Sequence, residues 1–342
     1  MITIDQVPQN TESTFMVVPS DFTRHEISAP ISQDVPFLNN KLLGTFRVSL
    51  MIGGILIASG LYHLAILWVT GADWSGPLSP RKPGLFGVSA GLTVWSIAWI
   101  LTQLVPRRND QLLANLMSFG LLLEVALITL QQWRGVPSHF NRTTALDATI
   151  ESTMLGLILL VTAGIAWLCI RSRHLLAMPE SRAIAIRAGL WLLLVSCGLG
   201  LLITITGQIN LAAGRSPETW GKAGVLKYPH GAALHAIQAL PVLSLLLQRW
   251  GVSHSVRLLR IAVASQVLFL THALWQTFSG RTRFDIDLTG IAALAVAGML
   301  IILFLKRKQF ARSKNLYFDE IRPTLRDPAE SPKAGHAHAK QE

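Results

Sequence analysis

Three imidazoles sit where a polar ring is costly. His63, His235 and His272 fall inside the apolar stretches "GLYHLAILWV", "HGAALHAIQALP" and "FLTHALWQTF". At 1.5 Å rise per helical residue, His63 and His272 lie roughly 12 Å, and His235 roughly 8 Å, below the same end of their runs. Imidazoles from different helices that face each other at one depth are what a b-type haem needs as axial ligands. Gln238 follows His235 by three residues and Gln276 follows His272 by four. Each glutamine thus shares a helix face with its histidine and could orient the ring from behind.

Carboxylates supply a second chemistry. Glu124 lies about 14 Å down its run and Glu151 about 5 Å down the next, from the same side. A carboxylate at such depth has to be paired or protonated, and intramembrane carboxylates serve proton-linked transport. Gln131 stands two turns after Glu124, on the same face. The stretch "QQWRGVPSHFN" adds Arg134, His139 and Asn141 near that end, and His230 opens the sixth run. Three histidines with a carboxylate could instead hold a divalent metal such as zinc, with one position left for water. No HExxH motif is present, however, and no residue is assigned a catalytic role.

The elements that must position these groups are membrane helices. Of the 342 residues 51% are hydrophobic and 14% charged, against about 25% charged in soluble domains. Eight runs reach the roughly 20 apolar residues that a spanning helix needs: 46–70, 85–105, 111–133, 148–170, 184–208, 229–248, 258–279 and 288–305. Pro241 is expected to kink the sixth. The expected fold is therefore an all-α bundle of about eight transmembrane helices over 46–306, with disordered tails at 1–45 and 307–342.

The net charge of +11 would suggest nucleic acid in a soluble chain. Here the basic residues cluster between the runs and set orientation instead. Sixteen lie on one side, including Arg107, Arg108 and Lys306–Lys308, against nine on the other. The termini should thus be cytoplasmic, with the histidines and carboxylates towards the outer surface. The first twenty residues show no basic and apolar signal pattern, so no cleaved leader is expected. Cys169 and Cys197 form no disulfide or zinc pattern. Glycines 53, 54, 60, 198 and 200 allow close helix contact. Asn141-Arg142-Thr143 reads as a glycosylation sequon, although the threonines there also suit a helix cap. The loop 210–231 before the sixth run could act as a lid.

The two stretches "RGVPSHFN" and "PHGAALHAIQALP" together resemble those of a family of uncharacterised bacterial polytopic inner-membrane proteins. These carry a similar R-G-x-x-S-H-F-N loop and P-H-x4-H-A-x-Q-x-L-P helix start. The likeness runs from about residue 75 to the seventh run. It implies a bacterial inner-membrane location and carries no established activity with it.

Four functions compete on this reading. The leading one is membrane redox chemistry on haem b or a metal bound by His63, His235 and His272. The second is a transporter or sensor of a small periplasmic solute or metal ion, with Glu124 as the charge-coupling group. A membrane metallohydrolase and a non-catalytic subunit of a membrane complex complete the set. The expected partners are the lipid bilayer and a small periplasmic ligand, not nucleic acid.

Overall fold

The computed structural model describes residues 44–76, 78–285, 290 and 292. Of two compact units, 1–39 and 40–342, the described residues all belong to the second. The tails, but for residues 44 and 45, and almost all of the eighth apolar run lie outside them. The described residues form helices α1 (Arg47–Thr70), α2 (Arg81–Gln103), α3 (Asp110–Trp133), α4 (Ala145–Arg171), α5 (Glu180–Ala212), α6 (Lys227–Leu234), α7 (Ala236–Arg249) and α8 (Ser255–Phe278). With α6 and α7 taken as one span, seven are long and apolar enough to cross a membrane. No strand occurs among the described residues, only isolated bridges such as Leu104 with Leu175.

Helix α1 shows why apolar segments settle in this arrangement. Its buried positions are Ser49, Ile52, Gly53, Leu56, Gly60, His63 and Leu67, a single stripe at three- and four-residue spacing. The opposite face exposes Met51, Ile55, Tyr62 and Trp68, as a lipid-facing surface would. The stripe packs on α2 through glycines. A Cβ on Gly60 would come within 2.6 Å of Val88 N, and one on Gly87 within 2.8 Å of the Gly60 Cα. Only glycine lets the two backbones meet there. Trp95 of α2 closes the contact by donating its indole N–H to Leu50 O, 2.9 Å away. Of the glycines expected to mediate packing, 53 and 60 do so, whereas a Cβ on Gly198 would meet open space.

At one end of the bundle the α2–α3 and α4–α5 connections are tied together. Val105 N donates to His174 O and Leu176 N to Gln103 O. Arg171 and Asp110, both buried, form an ion pair there, and Arg171 also donates to Val105 O at 2.9 Å. The opposite end carries the α1–α2, α3–α4 and α5–α6 connections, and it holds most of the candidate residues.

The sixth span is interrupted at His235, between α6 and α7, and Pro241, the expected kink position, lies inside α7. Proline removes one N–H from the ladder, yet here it is accommodated inside α7. The broken turn is tied to a neighbouring helix. Gln266 of α8 donates to Ala232 O, the carbonyl that Ala236 N would otherwise take, while Ser196 of α5 donates to His230 O, inside α6, at 2.9 Å. Side chains that satisfy freed carbonyls are the condition under which a span tolerates a break. Helix α5 also runs past its expected 184–208, to 33 residues, or about 50 Å.

Candidate functional site

The α3–α4 connection, residues 134–144, is the scaffold of the site, and two buried carboxylates pin it. Asp147, in the first turn of α4, accepts from Gln131 Nε2 at 3.0 Å, Arg134 at 2.8 Å and Thr144 Oγ1 at 2.7 Å. Thr144 returns the favour by accepting from Asp147 N at 3.1 Å, a reciprocal N-cap that fixes where α4 begins. One turn on, Glu151 accepts from the Phe140 backbone N–H and from Gln208 of α5, each at 2.8 Å, and pairs with Arg142 at 3.3 Å.

Phe140 is left-handed, with φ of 60°, a conformation costly for a bulky residue. The Glu151 bond and a seat for its ring against Gly207 hold it there. Asn141 is 6% exposed, and its Oδ1 accepts from Thr143 Oγ1 at 2.8 Å. The asparagine is thus turned inward, away from any glycosylation. Thr144 caps α4, as the simpler reading holds, while Thr143 donates to Asn141 and Asp147.

Pinned this way, the loop brings His139 beside Phe86 of α2 and Glu124 of α3. The His139 and Phe86 ring centroids are 6.0 Å apart. His139 Nε2 lies 4.0 Å from Glu124 Oε1, too far for a direct hydrogen bond. Its Nδ1 is 3.0 Å from Ser138 Oγ. Burial first, then the ammonium groups of Lys82 and Lys227, push His139 down to about 3. The imidazole is therefore neutral at physiological pH and forms no ion pair with Glu124. Glu124 Oε2 is buried and has no hydrogen-bond partner among the described residues.

Lys82, at the start of α2, feels the charges of Glu124, Glu218 and Lys227. Its ammonium donates no hydrogen bond to a described residue. Lys227 pairs with Glu218. Burial works against ionisation of Glu218, but the Lys227 bond and charge, with Lys82 and Arg81, hold its carboxyl below the usual range. Glu218 lies within the α5–α6 connection and Lys227 borders it; the connection is docked rather than loose. Trp220 packs edge-on against Phe278 at 5.2 Å, and Ala223 N donates to Gly280 O at 3.0 Å.

The other candidates stand apart from this cluster. His63 Nδ1 lies 2.8 Å from the Ser59 carbonyl, which only accepts, so Nδ1 carries the hydrogen. Its Nε2 then accepts from Trp133 Nε1 at 3.1 Å. Both ring nitrogens are spent. His230 donates from Nδ1 to Ser196 O at 2.8 Å. His235 occupies the break and is exposed, while His272 lies over Trp275 at 6.4 Å.

Gln238 does not back His235 but reaches Thr93 of α2 at 3.4 Å, leaving its buried Oε1 unpartnered among the described residues. Gln276 turns from His272 to the carbonyls of Thr282 and Asp285, at 2.6 and 2.9 Å. Gln131 likewise leaves Glu124 for Asp147. No group of three His, Cys, Asp or Glu able to hold a metal occurs among the described residues.

Sequence reading missed Lys82, Asp147, Ser196, Gln208 and Gln266. Asp147 was legible as the third residue after Thr144, a capping spacing. Lys82 served only as a topology marker, because lysines at helix ends are ordinarily solvated. Comparison with family models, curated proteins and solved structures finds no match.

Proposed function

We propose that this chain is a multi-pass protein of the bacterial inner membrane, N-in and C-in, that carries or senses a small periplasmic solute and couples it to a proton on Glu124. The observation that carries the reading is Glu124 itself. A buried carboxyl with one oxygen unpartnered, 4.0 Å from a neutral imidazole, is a place where a proton can be taken up and given back. Neutral His139 can relay that proton by a small rotation or through one water. Lys82 supplies a cation close enough to stabilise the ionised form without permanently pairing with it.

The break at His235 supports transport over a fixed cofactor. Discontinuous spans are where carriers place solutes and coupling ions. Haem ligation draws no support from His63, whose two nitrogens are both engaged within the protein. The resemblance to bacterial polytopic proteins supports the location, and the charge asymmetry supports the orientation.

Infrared difference spectroscopy of the protein in lipid nanodiscs tests the assignment. A carboxyl band that comes and goes with pH, is absent in Glu124→Gln and shifts in His139→Gln is expected. Spectra identical in wild type and Glu124→Gln would overturn it. An absorption spectrum and metal analysis of the same sample test the redox alternative, for which a Soret band or stoichiometric metal is required.

A further inference from the structure

The end of the bundle away from Glu124 carries a groove of about 320 Å³ between α3 and α4. Its rim is basic, with Arg107 and Arg108 both exposed. Its floor is the buried Asp110–Arg171 pair, whose charges cancel. The rim therefore presents two positive charges that nothing in the groove neutralises. Neither exposed guanidinium donates to a described side chain. Arg107 is already oriented, because its guanidinium lies 5.4 Å over the Trp167 ring.

Below the arginines the wall is apolar. Leu112 is 58% exposed, and Leu116, one turn deeper on α3, is 49% exposed. Both helices are long and apolar enough to span a membrane, so these leucines face acyl chains while the arginines stand where the helix leaves the hydrocarbon. Tryptophan is the residue favoured at that boundary. A soluble anion would use the arginines and leave the leucine wall uncovered. A molecule with an anionic head directly above two apolar chains uses both.

We infer that the groove between α3 and α4 is a binding site for one anionic phospholipid, its phosphate held by Arg107 and Arg108 and its chains lying over Leu112 and Leu116. Arginine recognises phosphate through paired N–H donors, and stacking on Trp167 lowers the ordering cost of doing so. The inference is independent of Glu124 and of the direction of insertion, since either leaflet can supply the lipid.

Native mass spectrometry of the full chain, released from nanodiscs of mixed phosphatidylglycerol and phosphatidylcholine, tests it. The wild type is expected to retain phosphatidylglycerol in preference, by about thirtyfold, the worth of two arginines at an anionic surface. Arg107→Gln/Arg108→Gln should lose that preference, whereas Arg257→Gln/Arg260→Gln should keep it. Arg107→Lys/Arg108→Lys preserves the charge, so partial retention is expected and guards against a folding defect in the glutamine pair. Equal retention of both lipids by the wild type needs no variant and would overturn the inference. So would displacement of the lipid by millimolar inorganic phosphate, which would mark a small-anion site instead.

Discussion

Acid should loosen the protein through His139, and the size of the effect follows from its surroundings. Burial, helped by Lys82 and Lys227, pushes this imidazole from 6.5 down to about 3. In the unfolded chain it titrates near its ordinary value of about 6.5. Between those two values the unfolded state binds a proton that the folded state refuses, so stability rises with pH across that window. The contribution is intact above pH 6.5 and is lost progressively on acidification towards 3. From pH 7 to pH 5 the loss is about 2 kcal/mol, at 1.36 kcal/mol per pH unit once below 6.5.

The assay is the thermal unfolding midpoint in detergent at both pH values, for wild type and His139→Gln. Every other titrating group is common to the two proteins, so the difference between their pH slopes isolates His139. The wild type is expected to lose about 2 kcal/mol more than the variant. Parallel slopes would refute the reasoning. A wild type that gains on acidification would mean that His139 charges and pairs with an ionised Glu124 across the 4.0 Å gap.

Other perturbations probe the frame around the site. Gly87→Ala drives a Cβ to 2.8 Å from both Gly60 Cα and Leu56 O, and should cost about 1–3 kcal/mol of stability, while Gly198→Ala, facing open space, should be neutral. Glu151→Leu orphans the Phe140 N–H and Gln208; a loss of about 1–3 kcal/mol and faster proteolysis within 134–144 are expected. Asp110→Leu strands the buried Arg171 and should cost about 3–5 kcal/mol, much of it recovered in Asp110→Leu/Arg171→Met. All are read from thermal midpoints in one detergent.

Hydropathy located the seven described spans because their buried and exposed faces are both greasy; α1 buries only a stripe, while α2 is buried all round over residues 97–103. Arg47–Thr70 and Asp110–Trp133 fall within a residue of the runs read from sequence, since charged or glycine residues end them sharply. The break at His235 was hidden for a physical reason. What satisfies the freed Ala232 carbonyl lies not in its own span but in Gln266 of α8.

The polar pairings were misread the same way. Same-face spacing proposed Gln131 for Glu124, Gln238 for His235 and Gln276 for His272. All three glutamines found other partners, two of them on neighbouring helices. Periodicity reports which face a residue shares, while packing decides what that face meets. Glu124 and His139 were both legible as candidates, but their proximity depends on a loop tied down by Asp147 and Glu151. The eighth run, 288–305, lies outside the described residues except for two positions.

Proton movement is the most direct test of the role given to Glu124. The protein is reconstituted in liposomes holding a pH-sensitive dye, and small periplasmic-type solutes are added outside in turn. At least one solute should drive a change in interior pH with wild-type protein, and that change should vanish in Glu124→Gln while the solute still binds. A solute-driven pH change of equal size in Glu124→Gln would contradict the account.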